Sequence, residues 1–237
     1  MITATLKKIQ KENEQVQTFW FKPAQSLRYT AGQFIELYLP HDMPDDRGIK
    51  RWFTLSSSPS DELLSITTKY AGPKSSSFKK QLFSLKPGAT FQIVEPMGDF
   101  VLPKDLSIPL VFVAGGIGVT PFHSMVSYLA ASGEQRKIQI LLAANQASDI
   151  LFEKLFRDYG ADVTLIVSEP SPGWKGEVGR LTAEKILSLT GAPTHKRIYA
   201  SGPEPMVETL EKDLLSSGVK RTQLVSDFFP GYSANLT

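Results

Sequence analysis

Two segments of the sequence carry residue types that bind phosphate. Gly115-Gly-Ile-Gly-Val-Thr-Pro121 follows the apolar run Leu110–Ala114 and precedes Phe122, Met125, Val126 and Leu129 at helical spacing. A buried strand that turns through glycines into a helix offers an anion free amides and the positive end of a helix dipole, and glycine lets the backbone approach closely. Thr120 suits the N-cap of that helix, and Pro121 its first position, where no amide hydrogen is needed. A second strand, Arg197–Ala200, enters Ser201-Gly-Pro-Glu-Pro-Met206 and another helix. In a parallel sheet both turns lie at the carboxyl edge, where such sheets bind dinucleotides. The spacing is not G-x-G-x-x-G. Glycines at a strand–helix turn also serve packing alone, so the first loop by itself leaves both readings open.

The elements that position these loops are legible from periodicity. From Val16 to Val94 the chain reads as short apolar or alternating runs (Val16–Phe21, Gln33–Leu39, Trp52–Ser56, Leu63–Thr68, Thr90–Val94) separated by Pro, Gly and Asp, the texture of a small antiparallel β-barrel. Ser76–Leu85 is its one helical stretch, opened by capping serines and closed by Lys86-Pro87-Gly88. After Pro103 the pattern alternates buried strand and helix, with strands near Leu110–Ala114, Ile138–Ala143, Val163–Val167 and Arg197–Ala200. Helical spacing recurs at Ile150, Leu151, Leu155 and Phe156, and again at Met206, Leu210 and Leu214. That alternation predicts an α/β domain with a parallel sheet. The expected organisation is two domains, 1–103 and 104–237, each long enough to bury a core.

Composition narrows the chemistry. The balance of 26 basic and 24 acidic residues provides no basic stripe for nucleic acid. With no cysteine there is no disulfide, no thiolate-ligated iron–sulfur cluster and no thiol nucleophile, so electron chemistry would need an organic cofactor. His41, His123 and His195 are widely separated and read as surface or structural residues; no metal-ligand spacing occurs. The first residues lack the core of a signal peptide, and the apolar run Ile108–Val119 is too short and glycine-rich to span a bilayer, so a cytoplasmic protein without a membrane segment is expected.

Taken together, Arg51-Trp-Phe-Thr-Leu-Ser-Ser57, the Gly115–Pro121 loop and Ser201-Gly-Pro-Glu-Pro-Met206 resemble, in order and spacing, three signatures of the ferredoxin–NADP reductase superfamily. The resemblance covers most of the chain. It implies an FAD-binding barrel followed by an NAD(P)-binding domain, and a flavoprotein reductase that passes electrons from NADH or NADPH through FAD to a separate acceptor. In that frame Arg51 pairs with the FAD pyrophosphate, a task suited to a planar, permanently charged guanidinium. Phe53 stands where the family usually has Tyr and would stack on or beside the isoalloxazine, and Trp52 is counted with it among the cofactor-binding residues. Thr54 would reach the flavin N5–O4 edge. Gly72-Pro-Lys-Ser-Ser-Ser-Phe-Lys79 resembles the family's glycine–serine turn, with Ser76 or Ser77 completing the pyrophosphate site, and Thr67, Thr68 and Lys69 precede it on a strand that contacts the flavin.

Glu95-Pro-Met-Gly98-Asp-Phe100 resembles the family's Gly-Pro-x-Gly-x-Phe segment and reads as architectural. In the second domain the resemblance sets Gly115, Gly116 and Gly118 against the nicotinamide dinucleotide's pyrophosphate, Thr120 and Pro121 under the nicotinamide end, and Gly202, Pro203 and Met206 in the facing loop. Ser201 takes the place of a frequent Cys near the nicotinamide C4. Asp227-Phe-Phe-Pro-Gly-Tyr232, with Asp227 in place of the usual Glu and Phe229 in the aromatic position, resembles the segment that approaches the flavin; its other reading is a terminal strand with core aromatics. After the second and third strands, Ala144-Asn145-Gln146 lacks the arginine often found in phosphate binders and Ser168 is followed by Glu169, which leans the choice toward NADH, with Lys175 and Arg180 near enough to oppose it. The implied partner is a one-electron carrier protein or an oxygenase component, or a larger assembly in which the chain is the reductase subunit. A flavin-free docking module of the same fold is the alternative outside enzymes. Oligomeric state is not legible.

Overall fold

A computed structural model of the protein describes residues 1–229, and they divide into two compact units, 1–101 and the residues from 102 onward. The first is built on one antiparallel sheet, β1 (Ile2–Lys11), β2 (Val16–Pro23), β3 (Phe34–Tyr38), β4 (Lys50–Thr54), β5 (Leu64–Lys69) and β6 (Thr90–Ile93), in the order β4-β3-β6-β1-β2-β5. The two ends of that order meet where Leu55, just past β4, bridges Ile66 of β5, so the sheet rolls toward a barrel. Its core holds Leu6, Phe19, Phe21, Ile35, Leu37, Leu55 and Ile66, all fully buried. One strand was not predicted: β1 occupies a central place in the sheet. It buries Ile2, Ala4 and Leu6 on one face, and its Lys and Thr residues, pointing the other way, dilute the apolar signal.

The helix expected at Ser76–Leu85 is α1 (Ser77–Ser84), with Ser76 as N-cap: its Oγ accepts from the Lys79 amide at 3.2 Å. Phe78 and Leu82 anchor it in the core. The Glu95–Phe100 segment pairs with the start of β3, Phe34 and Met97 exchanging backbone hydrogen bonds at 2.9 Å. Gly98 there has φ +108°, and a Cβ on it would lie 2.9 Å from the Phe34 ring.

The second unit is a parallel sheet in the order β10-β9-β8-β7-β11-β12: β7 (Leu110–Gly115), β8 (Ile138–Ala144), β9 (Asp162–Val167), β10 (Glu177–Val178), β11 (Arg197–Pro203) and β12 (Leu224–Phe229). The helices are α2 (Thr120–Ser132), α3 (Glu153–Tyr159), α4 (Ala183–Thr190) and α5 (Glu204–Ser216). Ile150 and Leu151 lie before α3 rather than in it. A short 3₁₀ turn covers Ala147–Asp149, and Phe152, with φ +61°, resets the chain direction ahead of the helix. The chain winds outward from β7 through β8 to β9 on one side and continues through β11 to β12 on the other. The order therefore reverses between β7 and β11, and open α/β sheets bind ligands outside the carboxyl ends of the strands at that switch point. Among the described residues no helix is long and apolar enough to cross a membrane.

Candidate functional site

In the first unit the cation comes from β4 and the helix end from the serine turn. Arg51 sits opposite Leu37 of β3, and its guanidinium lies 5.2 Å over the Phe78 ring of α1. Its side chain is only 10% exposed, and its hydrogen bonds run to the protein itself: Nη1 donates to the carbonyls of Arg47 (2.7 Å), Gly48 (3.1 Å) and Lys50 (2.6 Å), and Nη2 donates to Asp45 Oδ1 (3.1 Å). The other Asp45 oxygen accepts from the Ser77 amide at 2.8 Å, while the Asp45 amide donates to Ser77 Oγ at 2.8 Å. Burial alone would raise the Asp45 carboxyl. Hydrogen bonds from Ser77 and from the Arg47 amide, with the Arg51 charge, outweigh burial and hold it below the usual carboxylate range. His41 braces the group: Nδ1 lies 2.8 Å from the Leu39 carbonyl, which can only accept, so in the neutral ring Nε2 accepts from Ser77 Oγ at 2.9 Å.

A carboxylate thus occupies the joint between a guanidinium and a helix N-terminus, which demonstrates that this donor set takes an anion. The two candidate serines separate: Ser76 is spent on capping, and Ser77 faces Arg51 through Asp45. Asp45 and His41 were not singled out by motif. Their only signal was the polar turn Asp45-Asp46-Arg47-Gly48 immediately before the arginine.

Not every residue named with Arg51 joins it. Strand alternation puts Trp52 on the other face of β4, 58% exposed, with Nε1 donating to Glu36 at 3.2 Å, so it is not brought to the Arg51–Ser77 cluster. Phe53 is on the arginine's face but 8% exposed, its ring 5.9 Å from that of Phe78. Thr54 is 4% exposed at the end of the strand. Thr67 is buried, and its hydroxyl belongs to a buried chain, 2.8 Å from Thr18 Oγ1 and 2.9 Å from Ser56 Oγ. Lys69 ends β5, and its carbonyl accepts from Lys79 of α1 at 2.8 Å.

In the second unit the two glycine-bearing turns meet at the switch point. Ala114 of β7 is in register with Ser201 of β11, which in turn is in register with Asp227 of β12. The first loop answers the question its sequence left open, because its glycines have different reasons. A Cβ on Gly118 would stand 2.2 Å from the Ser201 carbonyl oxygen. One on Gly115 would stand 2.5 Å from Met206 Sδ, and one on Gly202 2.5 Å from Met206 Cε. Gly118 is glycine because the Ser201–Gly202 backbone passes directly against it, whereas Gly115 and Gly202 face the flexible end of Met206. Gly116 differs: φ is +52°, and a Cβ there would meet nothing within 4 Å. It is glycine for its backbone conformation, at an open edge. Its neighbourhood is a small recess at the ends of β7 and β8 whose lining includes Ala114, Gly116, Val119, Ala143 and Leu151.

Thr120 does not cap α2, contrary to expectation. A 3₁₀ turn over Gly116–Val119 runs directly into the helix, so Thr120 already has helical dihedrals (φ −59°, ψ −44°), and its amide donates to the Ile117 carbonyl. The helical N-terminus lies instead at the glycines, and Thr120 and Pro121 are buried. Ser201 is fully buried and its Oγ has no hydrogen-bond partner among the described residues. Burial pushes the Asp227 carboxyl up to about 6, against the lowering effect of the Phe228 amide. Phe229 ends β12 opposite Pro203; Pro230, Gly231 and Tyr232 lie outside the described residues. At the ends of β8 and β9, Gln146 Nε2 donates to Glu169 Oε2 at 3.1 Å and the Glu169 amide donates to the Asn145 carbonyl at 2.8 Å, which fixes a carboxylate at that rim.

Residues 112–212 match the family model of the oxidoreductase NAD-binding domain. By sequence the chain is similar to a flavohemoprotein of Xylella fastidiosa (27% identity, covering 92% of this chain and 56% of that one). It is also similar to the stachydrine N-demethylase reductase subunit Stc4 of Rhizobium meliloti (26%, 95% and 66%). It therefore spans between about half and two thirds of the length of these curated relatives. Among solved structures it shares the fold of the flavohem-like FAD/NAD-binding domain of nitric oxide dioxygenase from Vibrio cholerae, with TM-score 0.80, 21% identity, and coverage of 96% of this chain and 98% of that one.

Proposed function

We propose that the chain is a member of the ferredoxin–NADP reductase superfamily, as the match of residues 112–212 to the oxidoreductase NAD-binding domain supports, and that it is an FAD-dependent reductase which takes reducing equivalents from a nicotinamide dinucleotide and delivers them to a separate acceptor. The observation that carries the reading is the seated carboxylate: Arg51 and the Ser77 amide already hold an anion between them. A pyrophosphate asks the same of a site, a fork of charged donors beside amides at a helix start.

When bound, FAD supplies a ring that accepts a hydride and releases electrons singly, chemistry no side chain of this cysteine-free protein offers. The protein's own groups bind and orient. Arg51 and Ser77 take the flavin diphosphate, and Thr54, at the end of the same strand as Arg51, serves the ring. In the second unit the amides at Gly116–Gly118 take the dinucleotide pyrophosphate, and Gly115, Gly202 and Met206 hold the two turns at the spacing this requires. Ser201 and Asp227, side by side in register, are the polar groups of the nicotinamide end, and Ser201 Oγ has hydrogen-bonding capacity to spare there. Glu169, oriented by Gln146, selects NADH: a carboxylate accepts from a ribose hydroxyl and repels a 2′-phosphate. The acceptor is a one-electron carrier protein or an oxygenase component. The similarity to a relative named as a reductase subunit also supports work within a larger assembly.

The purified protein is therefore yellow, and NADH bleaches it under anaerobic conditions. Colourless protein that FAD cannot reconstitute defeats the proposal. Arg51→Ala costs on the order of ten-fold or more in FAD affinity, the value of losing one charge-assisted contact. Nicotinamide affinity changes little, and equal loss of both affinities would refute the assignment of the two cofactors to separate units.

A further inference from the structure

The group that occupies the arginine–serine joint belongs to the protein itself. Asp45 lies in the connection between β3 and β4, residues 39–49, and four contacts bind that connection to α1 and β4: Asp45 Oδ2 to the Ser77 amide, Asp45 Oδ1 to Arg51, the Asp45 amide to Ser77 Oγ, and Ser77 Oγ to His41. Arg51 completes the enclosure by donating to the carbonyls of Arg47 and Gly48 in the same connection. These are the donors assigned above to the flavin diphosphate. An amide hydrogen and one guanidinium edge cannot serve a carboxylate and a phosphate oxygen in the same place at once.

The connection is also built to move without disturbing the sheet. Its ends are pinned by the Leu39 amide donating to the Ile49 carbonyl at 2.9 Å. Between those ends Met43 is 90% exposed with φ +48°, a conformation that costs a non-glycine residue about 1 kcal/mol and is relieved when the segment rearranges. No buried apolar side chain within residues 40–48 anchors the connection; its fastenings are the polar contacts named above and the edge-on packing of the His41 ring against Phe78.

We propose that Asp45 is an internal stand-in for the flavin diphosphate: its carboxylate fills the Arg51–Ser77 cradle and must be displaced for FAD to load. The proposal rests on the flavin reading above. Its consequence is that the protein's affinity for FAD is lowered by the fraction of time the cradle is closed, and that the phosphates of the cofactor, not its ring, carry that penalty. Asp45 in this position also supplies an opposite charge to a guanidinium at 10% exposure.

The test is a titration of the flavin-stripped protein with FAD and, separately, with riboflavin, which has the ring but no phosphate, followed by flavin fluorescence. Asp45→Asn keeps an acceptor for the Ser77 amide and removes the charge; Asp45→Ala removes both, and circular dichroism establishes that each variant is folded. The expected result is that Asp45→Asn tightens FAD by roughly ten-fold or more and speeds its association, with riboflavin affinity unchanged. Asp45→Ala, if folded, does the same. FAD affinity that is unchanged or weaker in Asp45→Asn overturns the proposal while leaving the flavin reading intact, and so does an equal gain for riboflavin. Failure of wild type and both variants to bind FAD at all overturns the flavin reading and the stand-in together.

Discussion

Replacing Gly118 by alanine places a methyl group where the structure has no room for one. The new Cβ would lie 2.2 Å from the Ser201 carbonyl oxygen and 2.6 Å from the Gly202 Cα, and the first of these falls about 1.2 Å short of the 3.4 Å at which ordinary contact begins. Neither side can give way cheaply. Ser201 sits mid-sheet, paired with β7 on one side and β12 on the other, and Gly118 belongs to a turn locked between β7 and α2. Overpacking usually costs about 1–3 kcal/mol, and a clash of backbone against backbone belongs at the upper end, about 3 kcal/mol. In a unit of this size that lowers Tm by roughly 10 °C.

Gly116→Ala is the control within the same loop: its methyl enters open space, and the price is only the left-handed φ of +52°, about 1 kcal/mol or roughly 3 °C. In a Trp20→Phe/Trp52→Phe background Trp174 is the sole tryptophan and reports thermal unfolding of the second unit. A Gly118→Ala protein that melts within 2 °C of its parent would refute the interlocked-loop argument, as would a larger loss for Gly116→Ala.

Two further predictions concern single carboxylates. Burial raises Asp227 to about 6 from its ordinary 3.8, so the folded state binds the proton more tightly than the unfolded one, and stability falls as pH rises from about 4 through 6. Asp227→Asn accordingly raises the denaturation midpoint at pH 8 and leaves it unchanged at pH 3, below both values; an equal effect at the two pH values would show that charge is not the cause. Glu169→Arg shifts the ratio of kcat/KM for NADPH over NADH upward by roughly ten-fold or more, since it replaces a repelling carboxylate with a bidentate phosphate donor. An unchanged ratio would locate the ribose elsewhere on the rim.

The architecture was legible because the two halves of the chain differ in period. Uninterrupted apolar runs such as Leu110–Ala114 mark strands covered on both faces, while alternating runs such as Gln33–Leu39 mark a sheet with one wet side. β1 escaped notice for the same reason: with lysines at 7, 8 and 11, its apolar half is only every second residue and stops at Leu6. The glycine loop was found by motif, but its division of labour was not. Whether a missing Cβ makes room for Met206 or frees a backbone dihedral depends on a strand some eighty residues later in the chain. Thr120 misled because its side chain fits an N-cap, and a 3₁₀ turn ahead of a helix leaves no mark in composition. The role of Asp45 is not legible because, although Arg51 is only six residues away, Ser77 is brought to it by the docking of α1 rather than by proximity in sequence.

The place of β1 sets the timetable on which the first unit can form. Ile2 pairs with Ile93 and Thr5 with Thr90, so β1 waits for a strand made some ninety residues later before both its flanks are covered. During synthesis, at about 5–20 residues per second, that wait lasts several seconds, in which a bare strand edge is open to wrong partners. Lys7, Lys8 and Lys11 give the waiting strand charges that discourage another chain from zipping onto it.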